Sequence, residues 1–463
     1  MNLKNLHSAH FLGIGGIGMS ALARWFNHVG IKVSGYDRTP SPLTDALVAE
    51  GMEIVFDDTL ETIPSRIRYD KVHTLVIWTP AMPKDSEQLN FFQNNGYSIK
   101  KRAAVLGMIT AELPTIAVAG THGKTTTSSM VAHLLKFGGK NIAAFLGGLT
   151  QNYNSNLILH DEENGDATVV VEADEFDRSF LHLHPNVAIV TSADPDHLDI
   201  YGDDAQMMDG FRAFIDLIAE DGSLYIHAKA FQKLGAPKSK SVEVKQYGIN
   251  IGEIQAKNIV AGPAAFTFDY VSGDKEIKDL KMYMPGFHNV ENALPAITVA
   301  LDYGIEEVVV REGLASYKGV KRRFEIWVQE EDRVFIDDYA HHPEEIRAFL
   351  SSVKAMYPGK KLTAIFQPHL FSRTRDFAQG FSESLSLADE VVLLEIYPAR
   401  ELPIEGVNAT MLLEGITSAK KSLQSKEGLL DYLKANKPEV LVTIGAGDID
   451  RLVLPIANWM KTL

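Results

Sequence analysis

The sequence contains no cysteine, which excludes disulfide bonds, thiol catalysis and cysteine-ligated metal sites. It also lacks any apolar run near the roughly 20 residues that span a bilayer, and its first apolar stretch, residues 11–23, is too rich in glycine for a secretory signal. Basic residues are outnumbered by acidic ones, 45 against 60, so the formal net charge is −15. These absences predict a cytoplasmic protein whose main partner is neither nucleic acid nor a membrane.

The chain nevertheless has enough apolar material for several cores, because 45% of its 463 residues are hydrophobic. That length predicts about three domains. Strand and helix patterns alternate along most of the sequence, which is typical of α/β folds. The first domain ends near Pro114 and a basic linker precedes the last one. We therefore predict domains at residues 1–110, 111–318 and 319–463.

A glycine-rich loop follows the first predicted strand. The stretch HFLGIGGIGMS, which begins at His10, has the GxGxxG spacing between a strand and a helix, and Asp37 ends the next strand about 20 residues further on. Such a loop holds a diphosphate at a helix N-terminus. The spacing alone leaves open a dinucleotide, another diphosphate or a closely packed helix. The loop residues assigned to this ligand are Gly15, Gly16, Ile17 and Gly18.

A second glycine loop, GTHGKTTT, lies between the predicted strand at residues 115–119 and a helix. Its backbone N–H groups can surround phosphate oxygens, Lys124 can reach the β- and γ-phosphates, and Thr125 can ligate Mg²⁺. Val118 stands where the full phosphate-loop pattern has a glycine. This shortened form suits an ATP-dependent ligase better than a GTPase, and an ordinary strand-to-helix turn is the alternative. The residues assigned to ATP here are Gly120, Thr121, His122, Gly123, Lys124, Thr125 and Thr126.

Two further buried strands are predicted to end in acidic residues. Glu172, Asp174 and Glu175 follow the first, and the second leads into DPDHLD, which contains His197. Carboxylates at a strand end, in a protein with a phosphate loop, predict a Mg²⁺ ligand. A solvated acidic turn is the alternative for the first group, and a helix cap with a surface histidine is the alternative for His197.

Short strands with glycine turns between residues 242 and 282 predict a small antiparallel insertion. The stretch PGFHNVENA, from Pro285, then opens a helix, and its amide and imidazole groups can either cap that helix or bind the edge of a base. The basic stretch KGVKRRFE, from Lys318, favours a phosphate contact over solvated linker charges. A second open α/β sheet follows, with polar groups at its strand ends, where such sheets bind ligands. These groups are DDYAHH from Asp337, QPHLFSRT from Gln367, YPAR from Tyr397 and GAGD from Gly445.

The order of these motifs resembles the Mur ligase family over essentially the whole chain. The resemblance is carried by FLGIGGIGMSALA, GTHGKTTT, VVEADEFD, DPDHLD, PGFHNVENA, KRRFE, DDYAHHPEEI and FQPHLFSRTRDF. It implies an α/β fold of three domains: an N-terminal Rossmann-like domain for a UDP-sugar, a central P-loop ATPase-type sheet with a small antiparallel β insertion, and a C-terminal Rossmann-like domain for an amino acid. The first glycine loop looks like that of the alanine-adding branch, which implies UDP-N-acetylmuramate and L-alanine as substrates.

The resemblance also implies the chemistry. ATP would phosphorylate the lactyl carboxylate of the sugar nucleotide to an acyl phosphate, which the amine of L-alanine then attacks. Residues implied for the metal, Mg²⁺ or Mn²⁺, are Thr125, Glu172 and, for a second ion, His197. Residues implied for the nucleotide outside the loop are His288, Asn289, Asn292, Arg323 and Asp338. Residues implied for the UDP-sugar, besides the glycine loop and Asp37, are Asp177 and Ser179.

Residues implied for the amino acid are His369 and Arg373, and those implied for catalysis are Lys124, His197, His341 and Arg373. The group that deprotonates the amine is left open between His341 and the His197 region. Three residues depart from the family pattern, namely Ala104, Phe176 and Leu370. The rival interpretations are a sister ligase for another amino acid or a recycled tripeptide, a dehydrogenase based on GxGxxG, and a non-catalytic ATP-binding switch.

Overall fold

The computed structural model describes residues 3–80, 82–161, 163, 165, 167–194, 204–263, 265–399 and 401–463. The chain forms two compact units, one of Met1–Gln255 with Leu294–Gly313 and the other of Ala256–Ala293 with Leu314–Leu463. Within the described ranges, no helix is both long and apolar enough to cross a membrane.

The first unit opens with a parallel sheet of five strands in the order β3-β2-β1-β4-β5. The strands are β1 Ser8–Leu12, β2 Lys32–Tyr36, β3 Glu53–Val55, β4 Thr74–Trp78 and β5 Ser98–Lys101. The α-helices are α1 Ile17–His28, α2 Pro42–Ala49, α3 Ser65–Tyr69, α4 Glu87–Asn94 and α5 Arg102–Glu112, and 3₁₀ helices span Leu3–Asn5 and Leu60–Thr62. The strand order reverses beside β1, which confirms the predicted Rossmann-like arrangement and puts the first glycine loop at the ligand-binding crevice.

The rest of the first unit is built on a second sheet, whose strands there follow the order β12-β11-β10-β6-β9-β7-β8. The strands are β6 Thr115–Ala119, β7 Ile142–Thr150, β8 Ser155–Ile158, β9 Thr168–Glu172, β10 Val187–Val190, β11 Ser223–His227 and β12 Glu243–Ile249. The helices are α6 Lys124–Phe137, α7 Asp204–Ile215, α8 Ala228–Leu234 and the 3₁₀ helix Phe176–His182.

Among the strands of this sheet in the first unit, neighbours are parallel apart from β8, which pairs antiparallel with β7. The prediction that the antiparallel insertion starts near residue 242 is therefore wrong for β12, which pairs in parallel with β11. Alternating apolar residues identify a strand, but they do not specify the direction of its neighbour.

The second unit contains β13 Ile254–Ala261, β14 Phe266–Ser272 and β15 Lys275–Met282, and β14 and β15 pair antiparallel as predicted. Helices α9 Phe287–Asp302 and α10 Glu307–Ser316 connect segments of the two units. The largest part of the second unit is a sheet in the order β16-β17-β21-β18-β19-β20.

This last sheet is parallel except for β16, which pairs antiparallel with β17. Its strands are β16 Glu325–Gln329, β17 Val334–Asp338, β18 Leu362–Phe366, β19 Glu390–Leu393, β20 Lys420–Leu423 and β21 Val440–Ile444. Its helices are α11 Pro343–Met356, α12 Phe371–Asp376, α13 Ala378–Leu385, α14 Thr410–Gly415, α15 Lys426–Asn436 and α16 Asp450–Met460. Every residue of β17, β18 and β21 is buried, as expected for central strands covered on both faces.

Candidate active site

The phosphate loop connects β6 to α6 through two glycines with positive φ, +132° at Gly120 and +81° at Gly123. A Cβ atom at Gly120 would lie 2.1 Å from the Thr191 hydroxyl oxygen, so the loop has no room for a side chain there. Gly123 immediately precedes the first turn of α6, where N–H groups have no intrahelical partner. The loop therefore presents backbone donors and a helix N-terminus to an anion, as its sequence predicts.

Hydrogen bonds hold this loop against the end of β10. The Thr121 hydroxyl donates to the Asp194 carbonyl oxygen at 2.8 Å, and the His122 N–H donates to the Ser192 hydroxyl oxygen at 2.8 Å. The strands β6 and β10 are neighbours in the sheet, and the strand order reverses between them. The loop is thus fixed at a topological switch point, where open α/β sheets bind ligands.

Lys124 lies in a carboxylate-rich part of the same loop. Its Nζ donates to the Gly120 carbonyl oxygen at 2.6 Å and to Glu175 Oε1 at 2.8 Å. Burial lowers the pKa of Lys124, but the nearby charges of Glu175, Asp174 and Glu172 more than compensate and raise it. Burial raises the pKa of Glu175, against the opposing effect of Lys124. Glu175 belongs to the acidic motif after β9 that predicts a Mg²⁺ ligand, but its ion pair with Lys124 was not predicted.

Glu172 ends β9 and lies beside the phosphate loop, because its register partner in β6 is Val118. Its Oε2 accepts a hydrogen bond from the Gly147 N–H at 3.0 Å. Thr125 is buried in the first turn of α6. These carboxylate and hydroxyl oxygens are the donor types that Mg²⁺ prefers, so the residues present fit the metal that the family implies.

The first glycine loop is bonded to Asp37. The Gly15 N–H donates to Asp37 Oδ2 at 2.7 Å, and Oδ1 accepts from the Thr39 N–H at 3.2 Å. The carboxylate therefore holds the loop in this structure. A Cβ atom at Gly18 would lie 2.9 Å from Arg102 Nη1, so a guanidinium group lies beside the loop.

Arg102 also lines a small cleft with Glu172, Asp174 and Ser179. Arg102 thus connects the glycine loop with the acidic motif. Arg102 was not among the predicted site residues, although the basic run Lys100-Lys101-Arg102 in an acidic chain is a signal that could have identified it as a candidate.

Three residues singled out in the sequence lie wholly or partly outside the described part of the chain. His197 lies in residues 195–203, outside the described part of the chain. The backbone of Phe176 and Asp177 belongs to the 3₁₀ helix Phe176–His182, and their side chains are outside the description.

In the second unit, Asn289 and Asn292 lie in the first turns of α9. Asn289 Nδ2 donates to the Pro285 carbonyl oxygen at 2.6 Å, and Asn292 Nδ2 donates to Asn289 Oδ1 at 3.3 Å. Both residues are buried. The amides therefore stabilise the helix start in this structure, which is one of the two interpretations of their sequence.

His288 precedes these amides and lies near the linker to the last sheet. Its ring centroid is 6.2 Å from that of Phe324. Burial lowers the pKa of His288 to about 4, and Arg323 lowers it further, against the effect of Glu291 and Glu345. The imidazole is therefore neutral at pH 7. The charge of Arg323 acts on His288, so the two residues lie near each other.

Asp338, at the end of β17, accepts hydrogen bonds from the Phe324 N–H at 2.7 Å and the Ala340 N–H at 2.8 Å. Burial raises the pKa of Asp338 to about 7, although Arg323 and both backbone donors favour its charged form. The Arg323 guanidinium lies 5.1 Å from the Tyr339 ring centroid. Asp338 thus ties the linker to the carboxyl end of the last sheet.

His341 follows β17 and His369 follows β18, the two strands that flank β21, and their ring centroids are 6.4 Å apart. Burial lowers the pKa of each to about 4, and the charge of Arg373 contributes in the same direction. The His369 ring also stacks on Tyr397 at 5.8 Å. Arg373 lies on α12, which begins after Leu370, a residue with a φ of +70°. The structure therefore brings all three predicted residues into one cluster.

The predicted residues fall into two groups, one in each unit. The first group contains the two glycine loops and the acids after β9, with Ser179 beside them. The second group contains the α9 motif, the linker arginine, Asp338 and the His341, His369 and Arg373 cluster. Each group lies at helix starts and at the carboxyl ends of parallel strands, as expected for ligand sites.

Family models match three successive segments of the chain. Residues 8–113 match the catalytic domain of the Mur ligase family, residues 118–300 match the Mur ligase middle domain, and residues 322–447 match the glutamate ligase domain of Mur ligases. The chain belongs to the Mur ligase family. This result confirms the resemblance and the predicted fold class.

Relatives within the family are similar over nearly their whole lengths. The chain is 49% identical to the UDP-N-acetylmuramate–L-alanine ligase of Flavobacterium psychrophilum, with 98% of each chain covered. It is 48% identical to the enzyme of the same name from Porphyromonas gingivalis, with 98% of this chain and 99% of that one covered. A crystal structure of a UDP-N-acetylmuramate-alanine ligase from Thermotoga maritima aligns with a TM-score of 0.79 at 29% identity, with 98% and 99% covered.

Proposed function

We propose that this protein is an ATP-dependent ligase that joins L-alanine to the lactyl carboxylate of UDP-N-acetylmuramate in peptidoglycan precursor synthesis. The reaction proceeds through an acyl phosphate and yields ADP and phosphate. The observation that carries the proposal is the phosphate loop at the β6–β10 switch point, with Lys124 among the acids that follow β9. The identity of the substrates is inferred from the relatives, because two that match over nearly their whole lengths are named UDP-N-acetylmuramate–L-alanine ligase.

Each of the three predicted domains binds one substrate. The domain at residues 1–110 binds the UDP-sugar, the domain at 111–318 binds ATP, and the domain at 319–463 binds L-alanine. Gly15, Gly16, Ile17 and Gly18 receive the diphosphate, and Arg102 adds a positive charge beside them. Asp177 and Ser179 contact the sugar nucleotide from the central domain. The substrates and ATP are cytoplasmic metabolites, so we infer a cytoplasmic location.

Phosphoryl transfer requires alignment and charge neutralisation more than covalent help from the protein. The residues proposed to hold the ATP phosphates are Gly120, Thr121, His122, Gly123, Lys124, Thr125, Thr126 and Arg323. Thr125 and Glu172 would hold Mg²⁺, with His197 assigned to a second ion, and the metal would neutralise phosphate charge. His288, Asn289 and Asn292 bind the adenine, and Asp338 lies near the ribose.

The amino-acid step needs a carboxylate contact and a proton acceptor. Arg373 is proposed to bind the L-alanine carboxylate, because a guanidinium group can grip both of its oxygens. His369 lies beside it and contributes to the same pocket. His341 is assigned as the acceptor for the amine proton, because its Nδ1 lies 3.0 Å from the Tyr339 carbonyl oxygen, an arrangement that leaves Nε2 of the neutral imidazole without a proton.

Phosphate release tests this function. The purified protein is given ATP and Mg²⁺ with UDP-N-acetylmuramate and single amino acids in turn. We expect release only when the sugar nucleotide and L-alanine are both present. Phosphate release that does not require both the sugar nucleotide and an amino acid would contradict the ligase function. A preference for D-glutamate or for a tripeptide would instead assign the chain to a sister branch of the family.

A further inference from the structure

We propose that the first unit carries a surface site for a divalent transition metal, formed by His7, Asp70 and His73. Each residue offers one ligand atom, and these atoms lie within 4.8 Å of one another. The three residues lie at the amino ends of β1 and β4, whereas the first glycine loop follows the carboxyl end of β1. The proposed site is therefore separate from the residues assigned to catalysis.

The backbone fixes the two histidines side by side. His7 and His73 immediately precede β1 and β4, which are parallel neighbours with Ser8 opposite Thr74. The His7 N–H donates to the His73 carbonyl oxygen at 3.0 Å, so the register extends one residue beyond the strands. The imidazole rings stack with centroids 4.3 Å apart. The pairing of β1 with β4 therefore brings the backbones of the two histidines side by side.

Asp70 directs a carboxylate at both rings. Its Oδ1 accepts from the His73 N–H at 3.2 Å and lies 3.0 Å from His73 Nδ1, while Oδ2 lies 3.9 Å from His7 Nδ1. Ligands about 2.0–2.1 Å from a tetrahedral zinc ion are about 3.3 Å apart, which falls between these separations. The His7 side chain is 68% exposed, so its ring can tilt to direct a lone pair at the ion.

A ligand set of two imidazoles and one carboxylate favours a transition metal over Mg²⁺. Imidazole nitrogen suits Zn²⁺, Co²⁺, Ni²⁺ and Cu²⁺, whereas Mg²⁺ prefers oxygen ligands and retains water. We therefore assign the site to the Zn²⁺ class, with water completing the coordination. Occupancy would join the starts of β1 and β4 to the segment that contains Asp70.

Calorimetric titration of the full-length protein with Zn²⁺, in a buffer that does not chelate the metal, tests the site. We expect one equivalent to bind, and Co²⁺ in its place to give the visible absorption of a nitrogen- and oxygen-ligated ion. Asp70→Asn and His73→Gln should each weaken Zn²⁺ binding at least about tenfold. The control is His28→Gln, which removes a histidine of the same unit whose ring nitrogen bonds the His160 carbonyl oxygen. Absence of saturable binding, or equal binding in wild type and Asp70→Asn, would overturn the site.

A different observation carries an inference about Glu345, which rests on the proposed function. We infer that Glu345 is a positioning residue that holds the linker arginine and His341 with its two carboxylate oxygens. Oε2 accepts from the His341 N–H at 2.9 Å and lies 3.4 Å from His341 Nδ1. Oε1 lies 3.9 Å from Arg323 Nη1. One carboxylate thus contacts a residue assigned to ATP and a residue assigned to the amino-acid step.

The surroundings of Glu345 favour a charged carboxylate in this position. It is the third residue of α11, where the helix dipole stabilises an anion, and its side chain is only 13% exposed. Glu344, the preceding residue, is 57% exposed and pairs with Arg347 at 3.6 Å. The two glutamates therefore share a helix turn but differ in burial and partners, which makes Glu344 a matched control.

Steady-state kinetics of the full-length enzyme distinguishes positioning from a structural role. Glu345→Gln keeps an oxygen for the His341 N–H but removes the charge that faces Arg323. We expect its KM for ATP to rise about tenfold while its KM for L-alanine changes less than about twofold. Glu345→Ala should raise both KM values, and Glu344→Gln should change neither.

A purely structural role would lower the temperature of unfolding without separating the two KM values. Unchanged KM values for ATP and L-alanine in both Glu345 variants would overturn the inference and leave the proposed function intact. Absence of ligase turnover in the wild-type protein would overturn the proposed function and this inference together.

Discussion

Glu175 gives Lys124 a counterion in the loop that is proposed to bind the ATP phosphates. The carboxylate is buried and lies 2.8 Å from the ammonium group. A triphosphate bound as proposed would compete with Glu175 for the same cation and would be repelled by its negative charge. The ion pair favours the charged form of Lys124, and we expect it to weaken nucleotide binding.

We predict that Glu175→Gln strengthens nucleotide binding. The substitution keeps a hydrogen-bond acceptor for Lys124 but removes the competing charge, so the Kd for ADP should fall about tenfold. Calorimetry with ADP, with and without Mg²⁺, measures the change, and Glu344→Gln, in the second unit, serves as a control. Weaker ADP binding in Glu175→Gln would contradict the competition and indicate that the charge positions Lys124.

A second residue-scale prediction concerns His10, a fully buried histidine of β1. Its Nδ1 lies 2.8 Å from the Ser34 hydroxyl and its Nε2 lies 3.0 Å from Gln88 Oε1. Burial lowers its pKa to about 4. The unfolded chain therefore binds a proton below about pH 6.5 that the folded chain binds only near pH 4. His10 thus contributes stability at neutral pH that is lost as the pH falls from about 6.5 to 4.

His10→Leu should lower the free energy of unfolding by about 1–3 kcal/mol at pH 7, because Ser34 and Gln88 lose a buried partner. The deficit should shrink towards pH 4, since only the wild-type protein loses the histidine contribution. Urea unfolding of both proteins at pH 7, 5.5 and 4.5 measures it. A deficit that stays constant over this range would refute the assignment of a neutral buried imidazole.

At the scale of elements, α5 packs unusually close to the 3₁₀ helix Phe176–His182. A Cβ atom at Gly107 would lie 2.3 Å from the His182 carbonyl oxygen. This contact fixes α5, whose first residue is Arg102, against the helix that contains Ser179. The glycine therefore serves the spacing between two elements that both line the cleft beside Glu172.

Gly107→Ala should destabilise the protein by about 1–3 kcal/mol, because overpacking would displace the His182 backbone. Gly428→Ala in α15 is the matched control, since its Cβ would meet only the Ser425 hydroxyl oxygen at 3.3 Å. Gly428 lies in the first turn of α15, and an alanine there should change the free energy of unfolding by less than about 1 kcal/mol. Urea midpoints compare the two variants, and equal effects would contradict the close contact.

The elements themselves could largely be predicted from the sequence. Buried strands such as β6 and β10 are short apolar runs bounded by glycine or acidic residues, and such patterns depend on local chemistry. The direction of β12 could not be predicted, because pairing depends on which strand the fold brings beside it. The same limit applies to side chains: the motifs identified Lys124 and His341, but the contacts of Glu175 with Lys124 and of Glu345 with Arg323 join residues that are far apart in the sequence.

At the scale of the whole molecule, an acidic chain concentrates positive charge where anions are proposed to bind. The net charge is −15, yet Lys124 lies in the phosphate loop, Arg102 beside the first glycine loop and Arg373 beside the two strand-end histidines. In each of the three sheets these cations lie near carboxyl ends of parallel strands. Electrostatic attraction is thus local, and the overall acidity disfavours nonspecific polyanions.

Because these cations lie in different loops, we predict that one substitution can abolish turnover while UDP-sugar binding is retained. Lys124→Ala should abolish turnover, because the triphosphate loses a cation that aligns and neutralises it. Binding of the UDP-sugar should change by less than about twofold, since Arg102 and the first glycine loop are untouched and the cost of a removed contact is local. Calorimetry with UDP-N-acetylmuramate, beside the phosphate-release assay, measures both.

Arg102→Ala should show the opposite pattern, with weakened UDP-sugar binding and retained ADP binding. A large loss of UDP-sugar affinity in Lys124→Ala would mean that the two loops form one binding site, contrary to the assignment of one substrate to each domain.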